Sequence, residues 1–190
     1  MRQGLIVSGL NHAMHMVVDE IKENNLVNKS LEREKLNPND PSGVTTGAKA
    51  KTFMERLFPI LSKLGHNPSY DLVDFDNPGK GGESPRKYAT RMLKGELIDL
   101  SPTVDQQNIL LSNSVTTTNF LLAKIGVHEL IHRVHLTTGV YRNWALKYIN
   151  DEAAHVLSEI DAYETSGELP QNNNTYKNYI EQAKLNGWER

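Results

Sequence analysis

The stretch that decides the fold is Thr118-Asn119-Phe120-Leu121-Leu122-Ala123-Lys124-Ile125-Gly126-Val127-His128-Glu129-Leu130-Ile131-His132-Arg133-Val134-His135-Leu136. Apolar side chains recur on every side of the helical wheel, and a helix apolar nearly all the way round is a buried one. Thr116, Thr117, Thr118 and Asn119 offer N-caps, and Thr137-Thr138-Gly139 is a suitable stop. Within this buried helix lies His128-Glu129-Leu130-Ile131-His132, an H-E-x-x-H pattern. Residues i and i+4 sit one turn apart on one face, so two imidazoles there can hold one metal ion. Glu129 is rotated by about 100° from His128, so it reaches a metal-bound water without occupying the metal. Two histidines and a glutamate are costly in an apolar helix unless they have partners, which favours a metal site over a pair of core histidines.

Composition narrows the chemistry. The 190 residues suit one domain of ordinary size. Lys plus Arg is 21 and Asp plus Glu is 23, a balance that argues against a dedicated nucleic-acid binder. There is no cysteine and there are seven histidines. Thiol nucleophiles, disulfides and thiolate zinc sites are therefore excluded, and any metal must be held by nitrogen and oxygen. No apolar run approaches the roughly 18 residues of a membrane helix, and the N-terminal stretch does not read as a signal peptide. Neither nucleic-acid binding nor membrane insertion is expected.

Outward from the motif, the elements suggest an α+β fold. A first helix is expected over about 8–24, followed by a turn-rich stretch over 25–47. A second helix, over about 48–64, is kinked or split by Pro59. Short strands are expected at Asp71–Phe75, Glu96–Leu100 and Asn108–Leu111, with a loop over 77–82. Tyr141, Trp144 and Tyr148 fall in a connection. A helix from Asp151 to Ser166 follows, capped by Asn150 or Asp151 and stopped by Gly167, and an amphipathic stretch from Tyr176 to Leu185 closes the chain. The expected organisation is an N-terminal helix and linker over 1–47 and a metal-bearing domain over 48–190.

A catalytic zinc takes a third protein ligand and keeps one position open. Thr138 stands six residues after His132, and position 135 is His135 rather than glycine, so a three-histidine elongated motif is excluded. The remaining source is a carboxylate on a later helix. The 151–166 helix is acidic and has no Lys or Arg. Glu152, His155, Glu159 and Tyr163 share one stripe of it, while Ala153, Leu157 and Ile160 form a stripe that can pack on the core. A solvated acidic face is the competing interpretation of the first stripe. Glu152, 20 residues after His132, and Glu159, 27 after, compete as the ligand. His155 and Tyr163 are the best-spaced donors for a developing oxyanion, and Tyr141 and His135 are weaker candidates; a structural role is the competing interpretation of each, and His135, one turn beyond His132, can support that ligand from behind.

Three resemblances add to this reading. The Glu152 spacing is similar to that of thermolysin-like enzymes, although here the text is Asn150-Asp151-Glu152. Glu159-Ile160-Asp161-Ala162-Tyr163 resembles the E-x-x-A segment that follows H-E-x-x-H in phage-repressor-cleaving and radiation-response metallopeptidases, which favours Glu159. The implied fold is zincin-like: a small sheet, a buried active-site helix and a downstream glutamate-bearing helix. The implied activity is zinc-dependent (Zn2+) hydrolysis of peptide bonds, with His128, His132 and Glu159 on the metal and Glu129 as general base. Separately, Ser8-Gly9-Leu10-Asn11-His12-Ala13-Met14-His15 resembles the join before the C-terminal domain of Rhs-repeat polymorphic toxins. That implies a secreted or delivered effector, a peptide or protein substrate in a target cell and a cognate immunity protein as partner. The alternatives are a zinc amidase acting on peptidoglycan peptides and a non-catalytic metal-stabilised module with His155 as fourth ligand. A metal-dependent nuclease is disfavoured by the charge balance, since the stretch Lys80–Lys94 is basic by only a few charges.

Overall fold

Thr118 starts the central helix as the sequence predicts: its hydroxyl accepts from the Leu121 amide at 3.1 Å, and α5 runs over Asn119–Thr138. The structure, a computed structural model, describes residues 16–77, 80–83, 92–93, 96–97, 108–167 and 174–190. Gly139 ends α5 at φ 78°, a left-handed backbone that glycine adopts without a Cβ penalty. Leu122, Ala123, Val127, Leu130 and Ile131 of α5 are fully buried, which is the expected consequence of an apolar surround.

The main core forms around that helix. It takes Val18 and Ile21 from α1 (16–23), Val27 and Leu31 from α2 (Leu26–Arg33), Met54 and Leu57 from α3 (Gly47–Leu57) and Leu61 from α4 (Pro59–Leu64). Pro59 splits the second expected helix in two, because it cannot donate within a helix but fits its first position. The α2 helix lies inside the stretch expected to be turn-rich. Val27 and Leu31 sit one turn apart and are its only buried residues, a signal too short to stand out among Asn, Lys and Glu. Lys124 of α5 is also buried; its ammonium donates to Asn28 Oδ1 at 2.8 Å and to the Gly167 carbonyl at 2.7 Å.

A three-stranded mixed sheet lies in the order β1-β5-β2. β1 (Tyr70–Val73) runs parallel to β5 (Ile109–Ser112), with Tyr70 opposite Ile109, and β2 (Gly82–Glu83) runs antiparallel to β5, with Gly82 opposite Leu111. The expected strands near 71–75 and 108–111 are therefore present. The third strand, however, begins at the end of the expected loop at 77–82, and the expected strand at 96–100 is met by β4 (Glu96–Leu97), paired antiparallel with β3 (Met92–Leu93) in a separate two-stranded sheet, while 98–100 lie outside the described residues.

The C-terminal half is helical. The expected connection after Gly139 is α6 (Val140–Tyr148), whose Tyr141, Trp144 and Ala145 pack with Leu136 and with Ala154 and Leu157 of α7 (Asp151–Ser166). The Asn150 side chain caps α7 by accepting from the Glu152 amide at 2.9 Å. α8 (Asn174–Asn186) lays Tyr176, Tyr179 and Ala183 against Val156 and Ile160 of α7. The fold is α+β and mostly helical. Among the described residues no helix is long and apolar enough to cross a membrane. The Ser8–His15 text lies outside the described residues, and of the basic stretch Lys80–Lys94 only 80–83 and 92–93 lie within them.

Candidate metal centre

His128 and His132 project from one face of α5 toward α7, where Glu159 meets them. His128 Nε2 and His132 Nε2 are 3.2 Å apart. Glu159 Oε2 is 3.5 Å from His128 Nε2, and Glu159 Oε1 is 3.3 Å from His132 Nε2. Bonds of about 2.0–2.1 Å to a tetrahedral ion put neighbouring ligand atoms about 3.3–3.4 Å apart. The histidine pair comes near that edge, and the carboxylate meets the two imidazoles through different oxygens, Oε2 toward His128 and Oε1 toward His132. One ligand atom from each residue lies within 4.8 Å of the others, and this group can hold a metal ion. Two imidazole nitrogens and a carboxylate oxygen suit zinc and other first-row divalent ions. Converging so many acceptors in a buried place is unfavourable unless a cation joins them. Burial alone pushes the Glu159 carboxyl up, but attraction to His132 and hydrogen bonds from His128 and His132 outweigh it and hold the group well below the usual carboxylate range.

The other glutamate does not join them. Glu152 is exposed and accepts from Gln182 Nε2 at 2.6 Å. The helical stripe therefore divides: Glu152 faces α8, while Glu159 meets α5. His155 takes an intermediate place, with its Nδ1 3.6 Å from Glu159 Oε1 and its side chain 36% exposed. Tyr163 stacks edge-on against His128 with ring centroids 4.6 Å apart. It continues into a row of aromatic rings from α8, lying 6.0 Å from Tyr176 and 6.4 Å from Tyr179. Tyr141 is turned to Asp151, donating to its carboxylate at 3.1 Å.

Glu129 is buried on the side of α5 that meets the sheet. A Cβ on Gly82 would lie 2.7 Å from Glu129 Cγ and 3.0 Å from its Oε1. Only glycine lets the β2 backbone come so near the carboxylate. Sequence reasoning missed Gly82, because a glycine run in a loop has no strand period.

It also missed Ser158 and Asp161, which support the histidines from beneath. Ser158 Oγ lies 2.7 Å from His132 Nδ1 and 2.9 Å from His135 Nδ1, and His135 Nε2 lies 2.9 Å from Asp161 Oδ2. Lys22 and Arg190 meet the other oxygen of Asp161 at 3.0 and 3.2 Å. The Asp161 carboxyl, which burial would push up, is held below the usual range by the hydrogen bond and charge of His135 and by Lys22. His135 also packs edge-on against Trp144, with ring centroids 5.0 Å apart. Serine and aspartate on an acidic helix carry no pattern that marks them for this role.

No family model matches this chain, and no curated protein or solved structure matches it.

Proposed function

We propose that this chain is a zinc-dependent metallopeptidase of zincin type, hydrolysing peptide bonds. The carrying observation is the convergence of two imidazoles and a carboxylate: His128 Nε2 and His132 Nε2 lie 3.2 Å apart, and a Glu159 oxygen lies within 3.5 Å of each. His128, His132 and Glu159 would hold the metal. Zinc, when bound at three protein ligands, supplies a Lewis acid that lowers the pKa of water and polarises a carbonyl. The protein supplies the rest. The Glu129 carboxylate takes a proton from the attacking water and delivers it to the leaving nitrogen. Its place against Gly82 fixes where that proton is held. Among the described residues the β2 strand lies at one edge of the sheet, and an extended peptide adding to that edge would run past Glu129, which supports a peptide substrate. His155, 3.6 Å from Glu159, and Tyr163, packed against His128, would donate to a developing oxyanion.

The Ser8–His15 text supports placing this activity in the delivered C-terminal domain of an Rhs-type bacterial toxin, with an immunity protein covering the site until delivery. A test is hydrolysis of casein and of peptidoglycan peptides by zinc-loaded protein, alongside growth of cells expressing the chain. Cleavage of casein and arrest of growth, both abolished in a folded Glu129→Gln variant, are expected. Cleavage of peptidoglycan peptides alone makes the chain an amidase. Absence of any hydrolysis by the zinc-loaded chain leaves a metal-stabilised binding module.

A further inference from the structure

Tyr179 of α8 meets two rings of α7 at once. Its ring centroid lies 5.8 Å from that of His155 and 6.4 Å from that of Tyr163. His155 and Tyr163 stand one turn before and one turn after Glu159 on the same face of α7. Tyr179 therefore spans the turn that carries the carboxylate of the metal centre. Tyr163 in turn packs edge-on against His128 at 4.6 Å, and Tyr176 continues the row 6.0 Å from Tyr163. Each separation lies within the range of roughly 4.5–7 Å at which aromatic rings attract one another.

The row is not sealed in the core. Tyr163, Tyr176 and Tyr179 are all half-buried, so each keeps ring surface within reach of solvent. Tyr176 and Tyr179 also pack against the buried Val156, Ile160 and Ala183, a contact that holds their rings in place. Tyrosine gives large, rigid contact area for little conformational entropy. The charges bordering the row are already committed: Glu159 to the two imidazoles, and Glu164 to Arg190 and to the Tyr176 hydroxyl, which donates to it at 3.0 Å. Glu152 lies at the exposed end of the stripe, where an ion pair gains little. A basic side chain placed here would also be repelled by a divalent ion at the centre. A neutral ring, by contrast, finds ring partners on two helices.

We propose that Tyr163, Tyr176 and Tyr179 form an aromatic wall at the metal centre that receives a large apolar side chain of the substrate, aromatic above all, next to the bond to be cut, with Tyr179 as the specificity-determining residue. The role rests on the hydrolase reading above. It gives α8, which bears none of the metal ligands, a part in choosing the substrate.

The test has two arms, both on the whole chain. In the first, the chain carries 13C-tyrosine, and ring signals are assigned with Tyr163→Phe, Tyr176→Phe and Tyr179→Phe. The amides of Nα-acetylated phenylalanine, alanine and lysine are added in turn, with and without zinc. Shifts of the Tyr163 and Tyr179 signals with the phenylalanine amide alone are expected. No shift with it, or an equal or larger one with the alanine or lysine amide, overturns the proposal. The second arm uses peptides copied from a mapped casein cleavage site, with Phe, Ala, Lys or Asp on either side of the cleaved bond. On one side, kcat/KM for Phe is expected to exceed that for Ala by at least about tenfold. In a folded Tyr179→Ala variant the ratio should fall to within about threefold, while Tyr179→Phe, which keeps the ring, should retain it. An unchanged ratio in Tyr179→Ala, or a preference for Lys or Asp, overturns the proposal and leaves the hydrolase reading standing. Ring shifts with the phenylalanine amide but no hydrolysis of any peptide would sink the hydrolase reading and leave the aromatic site. The first arm decides the matter even if Tyr179→Ala fails to fold.

Discussion

Gly82→Ala separates the role proposed for Glu129 as general base from metal binding. The new methyl carbon would lie 2.7 Å from Glu129 Cγ and 3.0 Å from Oε1. Ordinary carbon–carbon contact is about 3.5–4.0 Å, so Glu129 or the β2 backbone must yield by about 1 Å. Glu129 is only 7% exposed and sits on a helix packed on all sides, which leaves little room for retreat. Overpacking of this kind costs about 1–3 kcal/mol of stability. A displacement of about 1 Å at a reacting group costs on the order of 100-fold in rate. None of the three ligand atoms belongs to Glu129 or Gly82, so zinc affinity is expected to stay at the native value. The assay is casein hydrolysis by the zinc-loaded variant, with zinc content and circular dichroism on the same sample. A folded Gly82→Ala chain with native activity would refute the claim that this glycine fixes the base. Loss of zinc together with activity would refute the separation of the two roles.

Other consequences follow from the packing. Asp161→Ala removes the shared partner of His135, Lys22 and Arg190. Breaking a buried pair costs about 3–5 kcal/mol, but Lys22 and Arg190 are 21% and 32% exposed and can rehydrate, so about 2–4 kcal/mol is expected in urea unfolding. Because the folded-state pKa of Asp161 is depressed, its stabilisation is present above its unfolded value of about 4 and is lost as the pH falls below that toward the folded value. Acid unfolding of the native chain should steepen in that window, and in Asp161→Ala the same window should flatten. Leu130→Ala, at a fully buried position of α5, should cost about 2–5 kcal/mol by the same assay. Glu152→Ala, which removes only an exposed hydrogen bond to Gln182, should change stability by no more than about 0.5 kcal/mol and leave zinc binding intact.

The parts of the molecule that were legible in the sequence are those governed by periodicity and by local chemistry. α5 could be read because its apolar residues leave no polar face and because Thr118 and Gly139 cap it. The grouping of His128 with His132 follows from helical spacing alone. Glu159 could be narrowed to a stripe on α7, but the choice between it and Glu152 depended on which turn of α7 meets α5 and which meets α8. That is a tertiary fact with no local signature. β2 was hidden for a different reason: two residues cannot show an alternation, and Gly82 is extended because of what lies against it. α6 was overlooked because Tyr141, Trp144 and Tyr148 suggest aromatic clustering more than a helix, and only packing on Leu136 and Leu157 settles the segment. The Ser158–His135–Asp161 chain could not be read because its members come from two helices and each is ordinary alone.

Zinc stoichiometry across three chains bears most directly on the metal centre. The native protein, Glu129→Ala and Glu159→Ala are each purified, dialysed against zinc and analysed by mass spectrometry for bound metal. The account predicts about one zinc per native chain, about one in Glu129→Ala, and loss or severe weakening in Glu159→Ala. No zinc in the native chain, or full occupancy after Glu159→Ala, would contradict it.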